Sequence, residues 1–586
     1  MKRASSRRDH NYGAAARDVE PAAAAWRLWF VGGMLALGAC ALLARSVYLQ
    51  VIEQDFLARQ GDARILRDVK LSANRGMVLD RNGEPLAVST PVDTVWADPR
   101  KLSRQPQDYA RLAQALDRDP QWLARRVTSN LDREFVYLVR HMRPQDAAKV
   151  KALGIPGVDT LREYRRYYPA GEVTGHLLGF TNVDDVGQEG IELAYDQWLG
   201  SESGTKRVMR DREGRTIEDI ERIKEPRPGQ DLRTSIDLRV QYLAYRALKK
   251  AVEENSARGG SVVVLDIQTG ESLALVNQPA FNPNDREQYL PSRYRNRATN
   301  DFFEPGSSIK PFVVAAGMKS GRFHADTLID TGPGMMRVGI KTIKDHHALG
   351  TVDVTTVLAK SSNVGVVKIA LTLRPQEMWG TLHDLGFGSV TGSGFPGESA
   401  GILSPYEHWR AIGQATMAYG YGLSVTPLQL AQAYATLGSG GIRRPVSLRR
   451  VDTPPAGERV LDADVARELV RMLQAVVGEE GTAKRANVMG YRVSGKTGTA
   501  WKALEGGGYD GRTYTAVFGG VVPASNPRLA CVVVIDEPSA GKYYGGDVSA
   551  PVFSEVMSGA LRLLAIPPDD LQRVPATTLV QAQDPW

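Results

Sequence analysis

The chain has 586 residues, 42% of them hydrophobic and 24% charged, an ordinary globular composition with room for several domains and a sizeable core. A formal net charge of +7 spread over that length, without a dense Lys/Arg block, leaves no electrostatic footprint for nucleic acid, and none is expected as a partner. Two cysteines, Cys40 in an apolar run and Cys531 in a buried-strand pattern, predict no disulfide, so the fold must rest on its core.

Lys2, Arg3, Arg7, Arg8, Arg17 and Arg27 outnumber the acids of the first 27 residues, and "LWFVGGMLALGACALLA" then runs from Leu28 to Ala44 without a charge. That run is near the lower limit for a membrane-spanning helix. Trp26, Trp29 and Tyr48 stand where interfacial aromatics belong, and the preceding arginines put the N-terminus in the cytoplasm. The expected organisation is a cytoplasmic tail over 1–27 and a transmembrane anchor over 28–48, with the remainder exported. A cleaved signal, or a lipoprotein signal ending at Cys40, fits less well, because apolar sequence continues through "ALLA" and "VYLQVI".

After the anchor, "VYLQVIEQDFLARQGDARIL" has helical spacing. "GMVLDRNGEPLAVS" then predicts a hairpin turning at Asn82-Gly83, and "GGSVVVLDIQTGESLALV" a second one turning near Thr269-Gly270. The polar stretch Ile223 to Asp231 reads as a linker, which divides a mixed domain over 49–228 from a second over 229–566, followed by a polar tail over 567–586. The second domain opens on the helical "IDLRVQYLAYRALKKAVEENSA". Further on come the helical "PLQLAQAYATLGSGG" and "DADVARELVRMLQAVV", the strands "YTAVFGGVVP" and "RLACVVVIDEP", and a helix at "PVFSEVMSGALRLLA". Strands near both ends with helices between them predict an α+β domain, an antiparallel sheet packed by helices.

Chemistry enters at "FFEPGSSIKPF". A helix starting near Ser307 puts Lys310 one turn on and facing the same way, whereas Ser308 faces elsewhere. A serine hydroxyl is a poor nucleophile until a nearby base takes its proton, so the pair suits covalent catalysis. A lone S-x-x-K is more often a helix cap beside a solvated lysine. Here Ser361-Ser362-Asn363 follow in "AKSSNVGVV" and Lys496-Thr497-Gly498-Thr499 in "RVSGKTGTAW", the latter at the start of a strand. Together these form the S-x-x-K, S-x-N, K-T-G set of penicillin-binding proteins and serine β-lactamases. On this reading Ser307 attacks a peptide carbonyl, neutral Lys310 takes its proton, Ser361 relays a proton to the leaving amine, and Asn363 holds the substrate backbone. Lys496 and Thr497 suit a terminal carboxylate, and Gly498 lets the substrate lie close to the strand. Burial and the charge of Lys496 are expected to depress the Lys310 pKa. No metal site is predicted: His346-His347 are adjacent and read as loop residues, and "GSGG" at 438–441 and "GGG" at 506–508 lack the context of a phosphate loop.

The longer segments "NRGMVLDRNGEPLA", "RRYYPAGEVTGHLLGFTNVDDVGQEGIELAYD", "MRDREGRTIEDI", "YGYGLSVTPLQLAQAYATLGSGG" and "AGKYYGGDVSAPVF" resemble the septal class B penicillin-binding proteins from the anchor to about Pro567. That resemblance implies a single-pass inner-membrane peptidoglycan D,D-transpeptidase of cell division, with an elongated non-catalytic pedestal before the catalytic domain, acylated at Ser307 by a donor stem peptide and stalled there by β-lactams. It implies oxyanion donors at the nucleophile and at Thr499, and Tyr543 and Tyr544 beside the site. It implies no cofactor; its partners are peptidoglycan stem peptides, a SEDS-family glycosyltransferase and other division proteins. Arg75, Gly76, Asp80 and Arg81 match a pedestal motif and are expected to form an Arg/Asp network bracing the first hairpin. Ser362 stands where β-lactamases commonly have aspartate. The elongation-specific relative, a hydrolytic β-lactamase or D,D-carboxypeptidase using the same serine and lysine, and a non-catalytic β-lactam-binding sensor are the alternatives.

Overall fold

The computed structural model describes residues 22–57, 66–210, 216–503 and 508–573. The basic tail, the end of the helical stretch after the anchor (58–65), the middle of "MRDREGRTIEDI", the first two glycines of "GGG" and the last residues from 574 lie outside the described residues. The chain divides into two compact units, one built from the residues up to Lys70 with Thr205–Glu225, the other from Leu71–Gly204 with the residues from Pro226 onward.

The first unit contains a helix at Ala22–Val47 that continues as a π-helical turn at Tyr48–Ile52. Leu28, Trp29, Leu35, Leu37 and Leu42 are exposed on it, and none of its apolar window is covered by protein. A helix that is apolar all round must be covered by something else, and over Trp26–Ile52 this one is long and apolar enough to cross a membrane. The same unit holds a three-stranded sheet of Leu66–Leu71, Gly204–Arg210 and Thr216–Lys224. The last of these strands takes up the first two residues of the expected linker.

In the second unit, Pro85–Ala97 is a long strand paired antiparallel to Val136–Met142 and Val158–Tyr167. Val95, Leu102, Leu112, Leu123, Leu138 and Val150 form a small core of their own beside it. The Asn82-Gly83 hairpin is present. Gly83 takes φ +99°, and the Asp80 carboxylate accepts the backbone N–H groups of Asn82 and Glu84 at 2.7 and 2.9 Å. Of the expected Arg/Asp network, Asp80 thus braces the hairpin, but among the described residues neither Arg75 nor Arg81 pairs with it. Arg75 is buried against Glu192 (2.8 Å) and Asp196 (2.6 Å), Arg166 reaches the other Glu192 oxygen at 2.6 Å, and Arg81 pairs with Glu271. Asp80 is occupied by its own turn and by Leu238 N.

The C-terminal half is built on an antiparallel five-stranded sheet in the order Ser272–Gln278, Gly259–Asp266, Leu529–Asp536, Tyr509–Val522, Ser494–Ala503. Every residue of the first two strands is buried, so helices must cover both faces of the sheet. Helices Leu238–Glu254, Pro427–Gly438, Ala463–Val477 and Ala550–Leu563 supply that cover. Residues 310–318 of the helix Lys310–Lys319 are all buried, with Phe312, Val313, Val314 and Ala315 fully enclosed, so the Ser307 and Lys310 region at its start rests on a tightly packed support. Cys531 is a buried free thiol in the central strand. Within the second unit the earlier and later segments share one core: Val78, Leu86 and Leu199 belong to the same cluster as Val240 and Val264.

Candidate active site

Ser307 lies in the 3-10 turn Gly306–Ile309 that leads into the Lys310–Lys319 helix. Gly306 makes this turn possible with φ +53°, and its N–H donates to Gly420 O at 3.2 Å. Ser307 is half-buried, whereas Ser308 is fully buried and donates its hydroxyl to Pro305 O at 2.7 Å. Ser308 therefore has a local structural bond, and its carbonyl accepts from Tyr434 OH at 2.9 Å.

Lys310 and Lys496 are both fully buried, and both reach Ser361 Oγ, at 3.2 and 3.0 Å. Lys310 Nζ also meets Ser361 O and lies 2.8 Å from Asn363 Oδ1. Two carbonyl oxygens use the two N–H bonds of a neutral amine and leave its lone pair for a hydroxyl. Burial, then the charge of Lys496, push the Lys310 pKa far below the ordinary ammonium value, while Asp345 pulls the other way. Burial alone brings Lys496 down to about 7. Among the described residues no hydrogen bond joins Lys310 to Ser307 in this resting state, and catalytic bonds are commonly loose before substrate arrives.

Ser361 sits between helices Val354–Ala359 and Asn363–Thr372 with φ +59°, a left-handed conformation that is uncommon for serine. The strain is held by a residue that carries no signal in the sequence. Asp345 accepts from Ser362 Oγ at 2.6 Å, from Asn363 N, and from Val364 N at 3.0 Å. Ser362 in turn caps the second helix through Gly365 N at 2.8 Å. Asp345 thus fixes the start of the Asn363–Thr372 helix and, through Ser362, the backbone beside Ser361. Asp345→Ala is expected to slow acylation by up to about 10²-fold through misplacement. It should also move the acid limb of the pH profile to lower pH, because the group that raises the Lys310 pKa is gone; an unmoved limb would leave Asp345 no electrostatic part.

Ser494–Ala503 is the edge strand of the sheet, and Lys496, Thr497, Gly498 and Thr499 lie along it. Thr497 Oγ1 lies 3.0 Å from Thr482 Oγ1, a neighbour the sequence did not reveal, and Thr499 Oγ1 accepts from Gly545 N at 3.0 Å. A Cβ at Gly498 would lie 2.5 Å from Pro305 O and 3.2 Å from Ser308 Cβ. The glycine thus lets the strand pass against the serine turn, a requirement separate from the expected approach of substrate. Tyr543 stacks on Tyr514 at 4.2 Å and lies 4.5 Å from Tyr544, and Tyr544 faces His346 at 6.2 Å. The predicted tyrosines therefore form one aromatic bank, and the loop holding His346 and Asp345 stands near it. Among the described residues no group of His, Cys, Asp or Glu has the makings of a metal site.

Comparison with known proteins bears on both halves. Residues 260–558 match the penicillin binding protein transpeptidase domain, and residues 70–234 match the penicillin-binding protein dimerisation domain. The peptidoglycan D,D-transpeptidase FtsI of Escherichia coli K12 is 44% identical over 551 residues, covering 93% of each chain. The chain belongs to the class B penicillin-binding proteins. Its fold and activity class, a serine-type peptidoglycan D,D-transpeptidase of the FtsI type, follow from that membership. The probable peptidoglycan D,D-transpeptidase PbpC of Pseudomonas aeruginosa is 43% identical over 551 residues, covering 94% of this chain and 97% of its own. Among solved structures, the transpeptidase domain of Burkholderia pseudomallei penicillin-binding protein 3 is 44% identical with a TM-score of 0.53, covering 57% of this chain and 97% of that one. A peptidoglycan synthetase from Bifidobacterium adolescentis, 24% identical, shares the fold over 86% of this chain and 98% of its own, with a TM-score of 0.69.

Proposed function

We propose that this class B penicillin-binding protein crosslinks peptidoglycan stem peptides at the division septum, with Ser307 as the acylated nucleophile. The observation that carries the site assignment is the shared hydrogen bonding of two buried lysines to Ser361 Oγ. Neutral Lys310 takes the Ser307 proton as Oγ attacks the penultimate peptide carbonyl of the donor. Ser361, held between the two lysine nitrogens, gives its proton to the departing D-Ala amine and regains one from the Lys310 ammonium, which returns Lys310 to its neutral form; the same path in reverse deprotonates the acceptor amine. The backbone N–H groups of Ser307 and Thr499 take the oxyanion. Asn363 and the free edge of the Lys496–Thr499 strand hold the donor backbone as an added strand would be held. Lys496 in its charged form and Thr497 receive the terminal carboxylate, and Tyr543 and Tyr544 border the bound peptide. β-Lactams present the same carbonyl and carboxylate and remain on Ser307.

The Ala22–Val47 helix supports a single-pass anchor in the inner membrane, with the basic residues 1–27 cytoplasmic and the catalytic domain periplasmic. We assign 28–48 as the anchor, 49–228 as a non-catalytic pedestal, 229–566 as the transpeptidase domain and 567–586 as a tail. A SEDS-family glycosyltransferase and other divisome membrane proteins are the partners this assignment implies.

Labelling with a fluorescent penicillin tests the reading. Wild type and Ser308→Ala should hold the label for hours and Ser307→Ala should take none. Label retained by Ser307→Ala, or lost within minutes from wild type, would overturn the acyl-enzyme assignment in the first case and favour hydrolysis in the second.

A further inference from the structure

The acylation chemistry leaves unused a lysine that stands immediately before the strained Ser361. Lys360 ends the Val354–Ala359 helix, and its half-buried side chain reaches a residue 120 positions further along the chain. Its Nζ donates at 2.8 Å to the carbonyl oxygen of Glu480 and at 2.8 Å to Glu480 Oε2. The Glu480 side chain is 90% exposed, and the Lys360 ammonium, helped by Lys484, holds its pKa below the usual carboxylate value. A carboxylate so exposed acts through that bond and not through packing.

Glu480 belongs to the loop 478–482, which leaves the Ala463–Val477 helix and is folded back on its end: Gly481 N donates to Gly478 O at 3.0 Å and Ala483 N to Val476 O at 2.9 Å. At the far side of this loop Thr482 Oγ1 meets Thr497 Oγ1 at 3.0 Å. The helix behind the loop packs against both the Val354–Ala359 helix and the Ser494–Ala503 strand. One short loop therefore holds the residue before Ser361 and the residue after Lys496. Between those two residues lies the 3.0 Å hydrogen bond from Lys496 Nζ to Ser361 Oγ, which joins segments 135 residues apart. Asp345 braces the backbone that follows Ser361, with bonds to Ser362, Asn363 and Val364, whereas Lys360 braces the side that precedes it and ties that side to the loop on the strand.

We infer that Lys360 and Glu480 form a clasp that sets the distance between Ser361 and Lys496, which makes Lys360 a positioning residue for the proton relay. With the clasp open, the Ser361 link is free to draw away from the strand and the Ser361–Lys496 hydrogen bond lengthens. Lys496 and Thr497 stay where the strand holds them, so a substrate carboxylate is bound as before while acylation slows. The clasp has two parts that respond differently to salt: the ion pair with the exposed carboxylate is screened, and the bond to the neutral backbone carbonyl is kept. The charges that act on the Lys310 pKa are those of Lys496 and Asp345, so opening the clasp leaves the acid limb of the pH profile in place, unlike Asp345→Ala. The inference rests on the transpeptidase reading above.

The experiment uses the full-length protein in detergent and a chromogenic β-lactam, with acylation followed over a range of concentrations so that the non-covalent binding constant and the acylation rate constant separate. Lys360→Met should lower the rate constant about ten-fold, leave the binding constant unchanged and keep the acid limb in place. Lys360→Arg, which can donate to both Glu480 oxygens, should stay close to wild type. Glu480→Ala, which keeps the backbone acceptor, should lose about three-fold, the scale of one exposed ion pair. Between about 0.1 M and about 1 M salt, wild type should slow toward Glu480→Ala, and Glu480→Ala should not respond. A wild-type rate constant in Lys360→Met, a loss confined to the binding constant, or a Lys360→Arg as slow as Lys360→Met would overturn the clasp. Where Lys360→Met does not fold, an unchanged rate constant in Glu480→Ala at both salt concentrations overturns it as well. Labelling of wild type by a penicillin reports on Ser307 alone, so failure of the acyl-enzyme reading shows there and not in the differences between variants.

Discussion

Replacing Lys310 with methionine is expected to slow acylation of Ser307 by about 10³-fold, within the range that a positioned general base contributes. Methionine fills similar space in the buried helix start, so the loss should come with little change in folding. The pH profile carries the sign. Protonated Lys310 cannot accept a proton, so acylation should fall as pH drops through its depressed pKa, and this acid limb should vanish in Lys310→Met. The opposite limb belongs to Lys496. With its pKa brought down to about 7, it loses charge as pH rises above neutrality, and binding of carboxylate-bearing substrates should weaken there. Stopped-flow acylation by a chromogenic β-lactam from pH 5 to 9 reads both limbs. A variant that keeps the wild-type rate, or an acid limb that survives the substitution, would remove Lys310 from the role of base.

The second large effect is one of stability. Glu192 is fully buried and divides its two oxygens between Arg75 and Arg166, whose side chains are themselves only 2% exposed. Removing one partner of a buried charge group leaves the rest uncompensated, at a cost of about 3–5 kcal/mol. Glu192→Ala should therefore lower the thermal unfolding midpoint of the protein by several degrees. Arg75 retains Asp196 at 2.6 Å, so Arg166 bears most of the loss. A midpoint shift of under a degree would mean that water or rearranged side chains replace the carboxylate, and that the network is not structural.

These two sites differ in how far they could be read from the sequence. Ser307 and Lys310 are joined by local helical geometry, since three residues of one turn suffice to place them on one side. The Lys496–Thr499 strand and the Ser361–Asn363 link were legible as motifs because each is a short stretch whose residue types state its chemistry. The alternation and length of apolar runs likewise predicted the catalytic sheet and the helices that cover it, and the uncharged run from Leu28 predicted the long apolar helix. Asp345 was invisible: an aspartate in "KDHHALG" acquires meaning only when the fold sets it against the helix start at Asn363. Thr482 and Glu480 were hidden for the same reason, as their partners Thr497 and Lys360 are distant in the chain.

The Arg75 network shows the limit most plainly. One motif grouped Arg75 with Asp80 and Arg81, but Asp80 is consumed by the tight turn it caps, and the acids that meet Arg75 come from 117 and 121 residues away. What the sequence determined by itself was local: which residues can be nucleophile and base, where turns fall, and which segments must be covered by apolar surroundings. The tertiary structure alone decided which carboxylate stands beside which cation, that Gly498 must be small because the serine turn passes 2.5 Å from its Cβ position, and that two lysines share one hydroxyl. The physical reason is that side-chain spacing along a helix or strand is fixed by backbone geometry, whereas pairings between distant segments depend on how the whole core packs.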